Sequence, residues 1–272
     1  MENPVREDAG ERDRDRVQSL VSGLAVIKAF DAIHRTMSIS EVAEATGLNR
    51  ASARRFLLTL QELGYVRSSG RRYSLGPRVL ELAYHYLGAA GLPEIARPHM
   101  DRLAEETSES CSLAVLDGND IVYVQRVTAA RFVRVMISIG TRFPAYSTSM
   151  GRVLISDRED AWIDDFLHHA PVGQPTLRIA PPVDVPKIKA EIEKIRTQGY
   201  YVLDNEVAPG LRVLAVPLRD NAGRMLASMA ITAHDSSENA EHIIRDALPL
   251  LRAAARAVEA DLAQNGVTAF SS

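Results

Sequence analysis

Gly47 is the residue that most constrains how this chain folds. It separates a short run of helical character, Glu41 to Thr46, from a longer one, Arg50 to Leu63. Glycine accepts the left-handed backbone that ends a helix at little cost. Ser40 before the first run and Asn49 before the second carry side-chain oxygens that can take an orphan first-turn amide, so both read as N-caps. Gly64 closes the second helix. A helix starting at Val17 precedes them, with Leu20, Leu24, Ile27 and Phe30 at helical spacing. Tyr65-Val66-Arg67, a Ser-Ser-Gly turn and Arg71 to Leu75 follow and read as a β-hairpin. Three helices, a tight break between the last two, and then a hairpin have the proportions of a winged helix-turn-helix.

Helix phase gives that shape a chemistry. Advancing by 100° per residue, Ala53, Phe56, Leu57, Leu60 and Leu63 fall on one side of the third helix and form its expected core face. Arg50, Ala51, Arg54 and Arg55 fall on the other, all in the N-terminal half, next to Asn49 and Ser52. That half is the part a recognition helix presents to base edges in the major groove. The planar fork of arginine matches guanine O6 and N7. Between Asn49 and Arg78 the basic residues are Arg50, Arg54, Arg55, Arg67, Arg71, Arg72 and Arg78, against the single acid Glu62. Arg71 and Arg72 lie where a wing would meet the DNA backbone or the minor groove. The net charge of the whole chain is only -3, so attraction to nucleic acid must come from this local cluster. Leu58 is unusual in projecting on the arginine side, where it would pack on the DNA backbone or on a partner subunit.

The 272 residues suit two domains, and an apolar fraction of 46% is enough to build a core in each. Residues 1–16 mix both charge signs and read as a disordered arm; the alternative is that Arg12, Arg14 and Arg16 reach a DNA groove. The expected organisation is a DNA-binding domain over 17–76, a linker helix over 77–91, a second domain over 92–266 and a tail over 267–272. The second domain alternates strand-like and helical segments. Strands are expected at 111–116, 121–127, 132–139, 200–204, 211–219 and 225–233, and helices at 93–107, 148–156, 159–168, 184–198 and 238–264. The fold class is therefore α+β. One cysteine, Cys111, excludes an internal disulfide and fits a reducing cytoplasm. No apolar run approaches the roughly 18–20 residues that span a bilayer.

Several segments resemble the IclR-type transcriptional regulators. These are Val17 to Leu20 with Gly23 to Ile27, Arg50 to Leu60, Leu63-Gly64-Tyr65-Val66, Pro144 to Arg152, Gly199-Tyr200-Tyr201, Asp204-Asn205-Glu206 and Gly210-Leu211-Arg212. The resemblance spans nearly the whole chain and is strongest to regulators of aromatic-acid catabolism, the protocatechuate and 4-hydroxybenzoate branch. It implies a winged helix, a linker helix and a GAF-like α/β effector domain. It implies assembly as a homodimer or homotetramer on a double-stranded operator, with a small organic acid as effector. Carried over by position, the effector pocket would hold Ser149, Met150, Leu203, Val213, Ala230 and Thr232. Relatives that sense small oxo-acids carry polar groups at several of these positions. Here only Thr232 keeps a hydroxyl among the last four, and an apolar wall favours a ligand with an apolar, aromatic body. Ser149 and Met150 open a helix whose amides could receive a carboxylate, although the same residues also read as a plain helix start.

Other chemistry finds less support. His168 and His169 are adjacent, so on a helix they point about 100° apart, and no nearby ligand set completes a metal site. Cys111 lies in an apolar strand and reads as core. Ser147, Ser149 and Asp204 could be arranged as a hydrolase triad, but there is no G-x-S-x-G elbow and no phosphate-cradling glycine loop. An enzyme with a helical dimerisation module and an effector-independent architectural DNA binder are the rival readings. No cofactor and no membrane partner are expected.

Overall fold

A computed structural model describes residues 16–31, 33–129, 137–170, 183–204, 206, 211–234 and 241–267. The chain divides between Tyr86 and Leu87 into two compact units. The arm at 1–16 lies outside the described residues except for Arg16, as does the tail beyond Val267.

In the first unit, α1 (Gln18–Lys28), α2 (Ile39–Thr46) and α3 (Arg50–Glu62) precede the antiparallel hairpin β1 (Val66–Ser69) and β2 (Arg72–Leu75). Helix α4 (Val79–Ala90) follows the hairpin. Val26, Phe30, Met37, Val42, Ala53, Leu57, Leu60, Val66 and Tyr73 form one buried cluster. Met37 and Tyr73 exchange backbone hydrogen bonds at 2.9 and 2.7 Å, so the start of α2 is stitched to the hairpin. Gly47 ends α2 with φ at 69°, the left-handed conformation expected of it. Asn49 caps α3, its side chain accepting from the Ser52 amide at 2.8 Å.

Three expectations change here. The N-cap of α2 is Ser38, not Ser40. Glu41 stands three residues after Ser38, and the pair closes a capping box: the Glu41 amide donates to Ser38 Oγ at 3.3 Å and the Ser38 amide to Glu41 Oε2 at 2.6 Å. Ser40 has Ala43 at that spacing and so has no reciprocal partner. It sits exposed in the first turn of α2. Leu63 lies at the C-cap of α3, past its last buried turn, and is 47% exposed. On α1 the buried side chains are Ser22 and Val26, whereas Leu20 and Leu24 are exposed in the single chain.

The second unit is built on a six-stranded antiparallel sheet of order β5-β4-β3-β8-β7-β6. Its strands are β3 (Ser110–Asp117), β4 (Asp120–Val127), β5 (Arg142–Pro144), β6 (Tyr201–Asp204), β7 (Leu211–Arg219) and β8 (Met225–His234). Side chains alternate between two covered faces. Helices α5 (Leu92–Thr107) and α9 (Glu241–Gln264) bury Met100, Leu103, Leu251 and Val258 against Leu113, Leu214, Met229 and Ile231. The opposite face is covered by α6 (Ser149–Ile155), α7 (Asp160–His168) and α8 (Val185–Gln198). Cys111 is buried, as its position in an apolar strand implies, and burial pushes its thiol up to about 12. The strand expected at 132–139 falls largely on residues outside those described, and Ile137 to Ile139 are not strand. The edge strand β5 lies just beyond, a three-residue element too short to show in an alternation pattern.

The capping box gives a direct test. Ser38→Ala should lower stability by about 1 kcal/mol, whereas Ser40→Ala should leave it nearly unchanged. Chemical denaturation of the two variants measures the difference.

Candidate DNA interface and ligand pocket

The α2–turn–α3 segment presents Arg50, Ala51, Arg54 and Arg55 to solvent, with Asn49 exposed and Ser52 half-buried beside them. Beneath them Ala53, Leu57 and Leu60 hold the helix to the core. Leu58 is 41% exposed on the arginine side, as helix phase requires. The seven arginines of this stretch then separate into two groups. Arg72 donates from Nε to Thr36 Oγ1 at 3.0 Å and from Nη2 to the Thr36 carbonyl, and lies 3.4 Å from Glu41. It fastens the hairpin to the capping box of α2. Arg78 donates to the Leu63 carbonyl at 2.8 Å and to Glu81 at 3.1 Å, and covers the Tyr65 ring, so it closes the end of α3. Arg50, Arg54, Arg55, Arg67 and Arg71 pair with no carboxylate among the described residues. Their charge remains available to a polyanion.

In the second unit the four strand residues expected to line an effector pocket lie on one face of the sheet. Strand register aligns Leu203, Val213, Thr232 and Ser110 in one cross-strand row. The neighbouring row on the same face holds Tyr201, Ala215, Ala230, Ser112 and Arg126. Helix α6 packs over β6, β7 and β8. Met150, Leu203 and Ala230 belong to one buried cluster, with Val213 packed partly exposed against it. Thr232 is half-buried and Ser149 is only 1% exposed. The Ser149 hydroxyl is buried with no hydrogen-bond partner among the described residues. An unsatisfied buried hydroxyl costs about 1–3 kcal/mol, so its presence calls for an explanation.

Helix α6 is too short to hold itself in place, and its neighbours fix it. Thr148 caps it, its Oγ1 accepting from the Gly151 amide at 3.0 Å. Gly151 presses the helix onto the preceding turn, for a Cβ there would lie 2.0 Å from the Ala145 carbonyl oxygen. Arg152, 3% exposed, donates to the Tyr146 carbonyl and to Glu191, each at 2.8 Å, to Glu206 at 3.1 Å, and to the Tyr201 hydroxyl. Lys187 completes the cluster by donating to Glu206 at 2.8 Å. Burial works to raise the Glu206 carboxyl, but hydrogen bonds from Lys187 and Arg152 outweigh it and hold the group below the usual carboxylate range. Burial raises the Tyr201 hydroxyl, so it stays protonated. The network runs from the buried guanidinium to a half-exposed lysine, with its charges compensated.

The remaining chemistry-bearing residues do not assemble a catalytic centre. Asp204 binds Arg212 at 2.7 Å and alternates with Leu203, which puts it on the face opposite Ser149. The rings of His168 and His169 hydrogen-bond the carbonyls of Asp164 and Asp165 at the end of α7. No group of three metal-ligating side chains occurs among the described residues, and no helix there is long and apolar enough to cross a membrane. Two features of the pocket face escaped the sequence reading: the Arg152 network and the Arg126–Ser112 pair. A charge at a core-facing alternation position is the signal for the second. Ser110 and Ser112 alternate with Cys111 and Leu113, and Arg126 stands between Gln125 and Val127 just past the apolar run Ile121 to Val124.

Residues 19–70 match the IclR helix-turn-helix domain, and residues 84–260 match the bacterial transcriptional regulator IclR C-terminal family. The chain is 39% identical over 245 residues to a Pca regulon regulatory protein of Pseudomonas putida, covering 90% of this chain and 84% of that protein. It is 31% identical to the p-hydroxybenzoate hydroxylase transcriptional activator of Acinetobacter baylyi, covering 89% of this chain and 90% of that one. Among solved structures, a protein from Rhodococcus sp. RHA1 designated a transcriptional regulator superposes with a TM-score of 0.79 at 45% identity, covering 92% of this chain and all of that one. An IclR homologue from Microbacterium hydrocarbonoxydans complexed with 4-hydroxybenzoate gives a TM-score of 0.77 at 22% identity, covering 90% and 98%, and so shares the fold. With both domain matches in register along one chain, the protein belongs to the IclR family of transcriptional regulators.

Proposed function

We propose that this chain binds a palindromic DNA operator as a homo-oligomer in the cytoplasm and alters that binding in response to an aromatic carboxylic acid. DNA contact is assigned to Ser40, Asn49, Arg50, Ala51, Ser52, Arg54 and Arg55 on the helix-turn-helix, with Arg71 at the wing. Arg72 contributes by holding the wing in place. Unpaired arginines at the N-terminal half of α3 support the base-reading role, because a charge left without an internal partner keeps its full attraction for the duplex. Exposed apolar side chains support self-association. Val17, Leu20 and Leu24 on and beside α1, and Leu80 and Tyr84 on α4, are 47–75% exposed. Clusters of this kind mark protein interfaces. A homodimer or homotetramer would present two α3 helices to two half-sites.

The effector class rests on one observation above the others: an apolar wall of Met150, Leu203, Val213 and Ala230 beside the partnerless Ser149 hydroxyl. The wall accepts a ring, and the hydroxyl accepts a polar group carried by that ring. Ser149 supplies the polar corner, Met150 beside it belongs to the wall, and Thr232 lies half-buried along that wall. The names of the relatives point the same way, to a Pca regulon and to p-hydroxybenzoate hydroxylase. The linker segment at 77–91 is assigned the coupling between effector and DNA.

Calorimetric titration with protocatechuate, 4-hydroxybenzoate, pyruvate and glyoxylate tests the effector class. Tighter binding of the aromatic acids is expected; tighter binding of the small oxo-acids would refute it. Arg54→Ala or Arg55→Ala should weaken operator binding by about 1–3 kcal/mol wherever the residue reads a base. Gel-shift affinity unchanged in both variants would remove α3 from the recognition role.

A further inference from the structure

Arg126 is an unusual residue for the strand it occupies. It lies on β4, and register pairs it with Ser112 of β3, next to Ala230 of β8. Its Nη1 donates to Ser112 Oγ at 2.8 Å, and Ser112 is 1% exposed. The guanidinium therefore lies half-buried over the sheet, on the face that α6 covers. Among the described residues no carboxylate pairs with it. Five arginines that bridge elements of this unit, Arg142, Arg152, Arg196, Arg212 and Arg219, each hold an acid, whereas Arg252 bridges to the Gln198 carbonyl without one and covers the Tyr200 ring. A partly buried cation without a counter-charge costs free energy.

Its surroundings favour an aromatic anion. Tyr123 lies on the same face after a β-bulge at Leu113/Ala114, in the cluster that also holds Met150 and Ala230. Burial pushes the Tyr123 hydroxyl up to about 12, with the Arg126 charge working against that rise, so the two groups sense each other. Burial also lowers the Arg126 pKa, but arginine starts high enough to keep its proton at neutral pH. Ser112 accepts from Arg126 and so keeps its own hydroxyl proton to donate. A fork of guanidinium N–H groups beside a free hydroxyl proton matches a carboxylate, which is acceptor-only.

We propose that Arg126 is the carboxylate anchor of the effector pocket, with Ser112 as its positioning partner, so that the ligand's acid end lies over β3 and β4 and its ring over Ala230. This assignment rests on the aromatic-acid reading above and adds the orientation of the ligand. It leaves the buried Ser149 hydroxyl for a second polar substituent on the ring.

The test compares protocatechuate and 4-hydroxybenzoate with 4-hydroxybenzamide, the neutral amide of the second acid, on the full chain by calorimetry. Wild type should bind the acids more tightly than the amide. Arg126→Met should lose about 10- to 100-fold in affinity for the acids, the range of a hydrogen bond to a charged group, and should lose the preference for acid over amide. Arg126→Lys should retain part of that preference. The thermal midpoint of unliganded Arg126→Met should not fall, since a half-buried cation with no counter-charge among the described residues is being removed; this separates a lost ligand contact from a damaged fold. Unchanged acid affinity and unchanged acid preference in Arg126→Met would overturn the anchor while leaving the aromatic-acid reading intact. A wild-type protein that binds neither acid would overturn that reading and the anchor with it.

Discussion

The guanidinium of Arg152 holds the sensing half of this molecule in shape. It is almost fully buried and reaches the preceding turn, helix α8 and strand β6 at once. Helix α6 has seven residues, far fewer than a helix needs to persist in water. It stays formed because Thr148 caps it, Gly151 lets it lie against the Ala145 backbone, and Arg152 ties it to its neighbours. Two carboxylates offset the burial of the arginine charge, and a half-exposed lysine pairs with one of them in turn. Removing one member would leave charges buried and uncompensated, so the network acts as a unit. Ser149 and Met150 can meet the sheet only because this frame fixes the helix that carries them.

The DNA-binding half is held by simpler devices. A capping box starts α2, a left-handed glycine ends it, and an asparagine starts α3. Each is local, acting within three residues of the helix end it fixes. Two arginines that look like DNA contacts, Arg72 and Arg78, also serve this scaffold. They brace the hairpin and the end of α3, and the remaining arginines stay open to solvent. The basic surface is thus sorted by which side chains find an internal acceptor among the described residues and which do not.

Local rules made much of this legible beforehand. The Gly47 turn, the Asn49 cap, the arginine side of α3 and the strand pairs around Asp117 to Asp120 all follow from effects within a few residues. The errors have the same physical origin. Choosing Ser40 over Ser38 overlooked that a capping box needs an acid three residues on. Leu20 and Leu24 carry the helical period but face solvent in the single chain, because an apolar stripe can serve a partner as well as a core. The Arg152 network was out of reach, since its partners lie up to 54 residues away, and Arg126 shows in the sequence only as a charge on the core-facing alternation, with its partner 14 residues away. The pocket positions came from family resemblance; strand register then brought four of them onto one face.

A ligand changes DNA binding only if it favours one state of the protein over another, and the coupling is reciprocal. A carboxylate that neutralises a buried cation in the sensing unit has the differential energy such coupling requires. The most direct measurement is the operator affinity of the full chain by fluorescence anisotropy, with and without saturating protocatechuate. A shift of about 5- to 150-fold in either direction is expected, with acid affinity shifting by the same factor on operator-bound protein. Identical operator affinities with acid demonstrably bound would contradict the account.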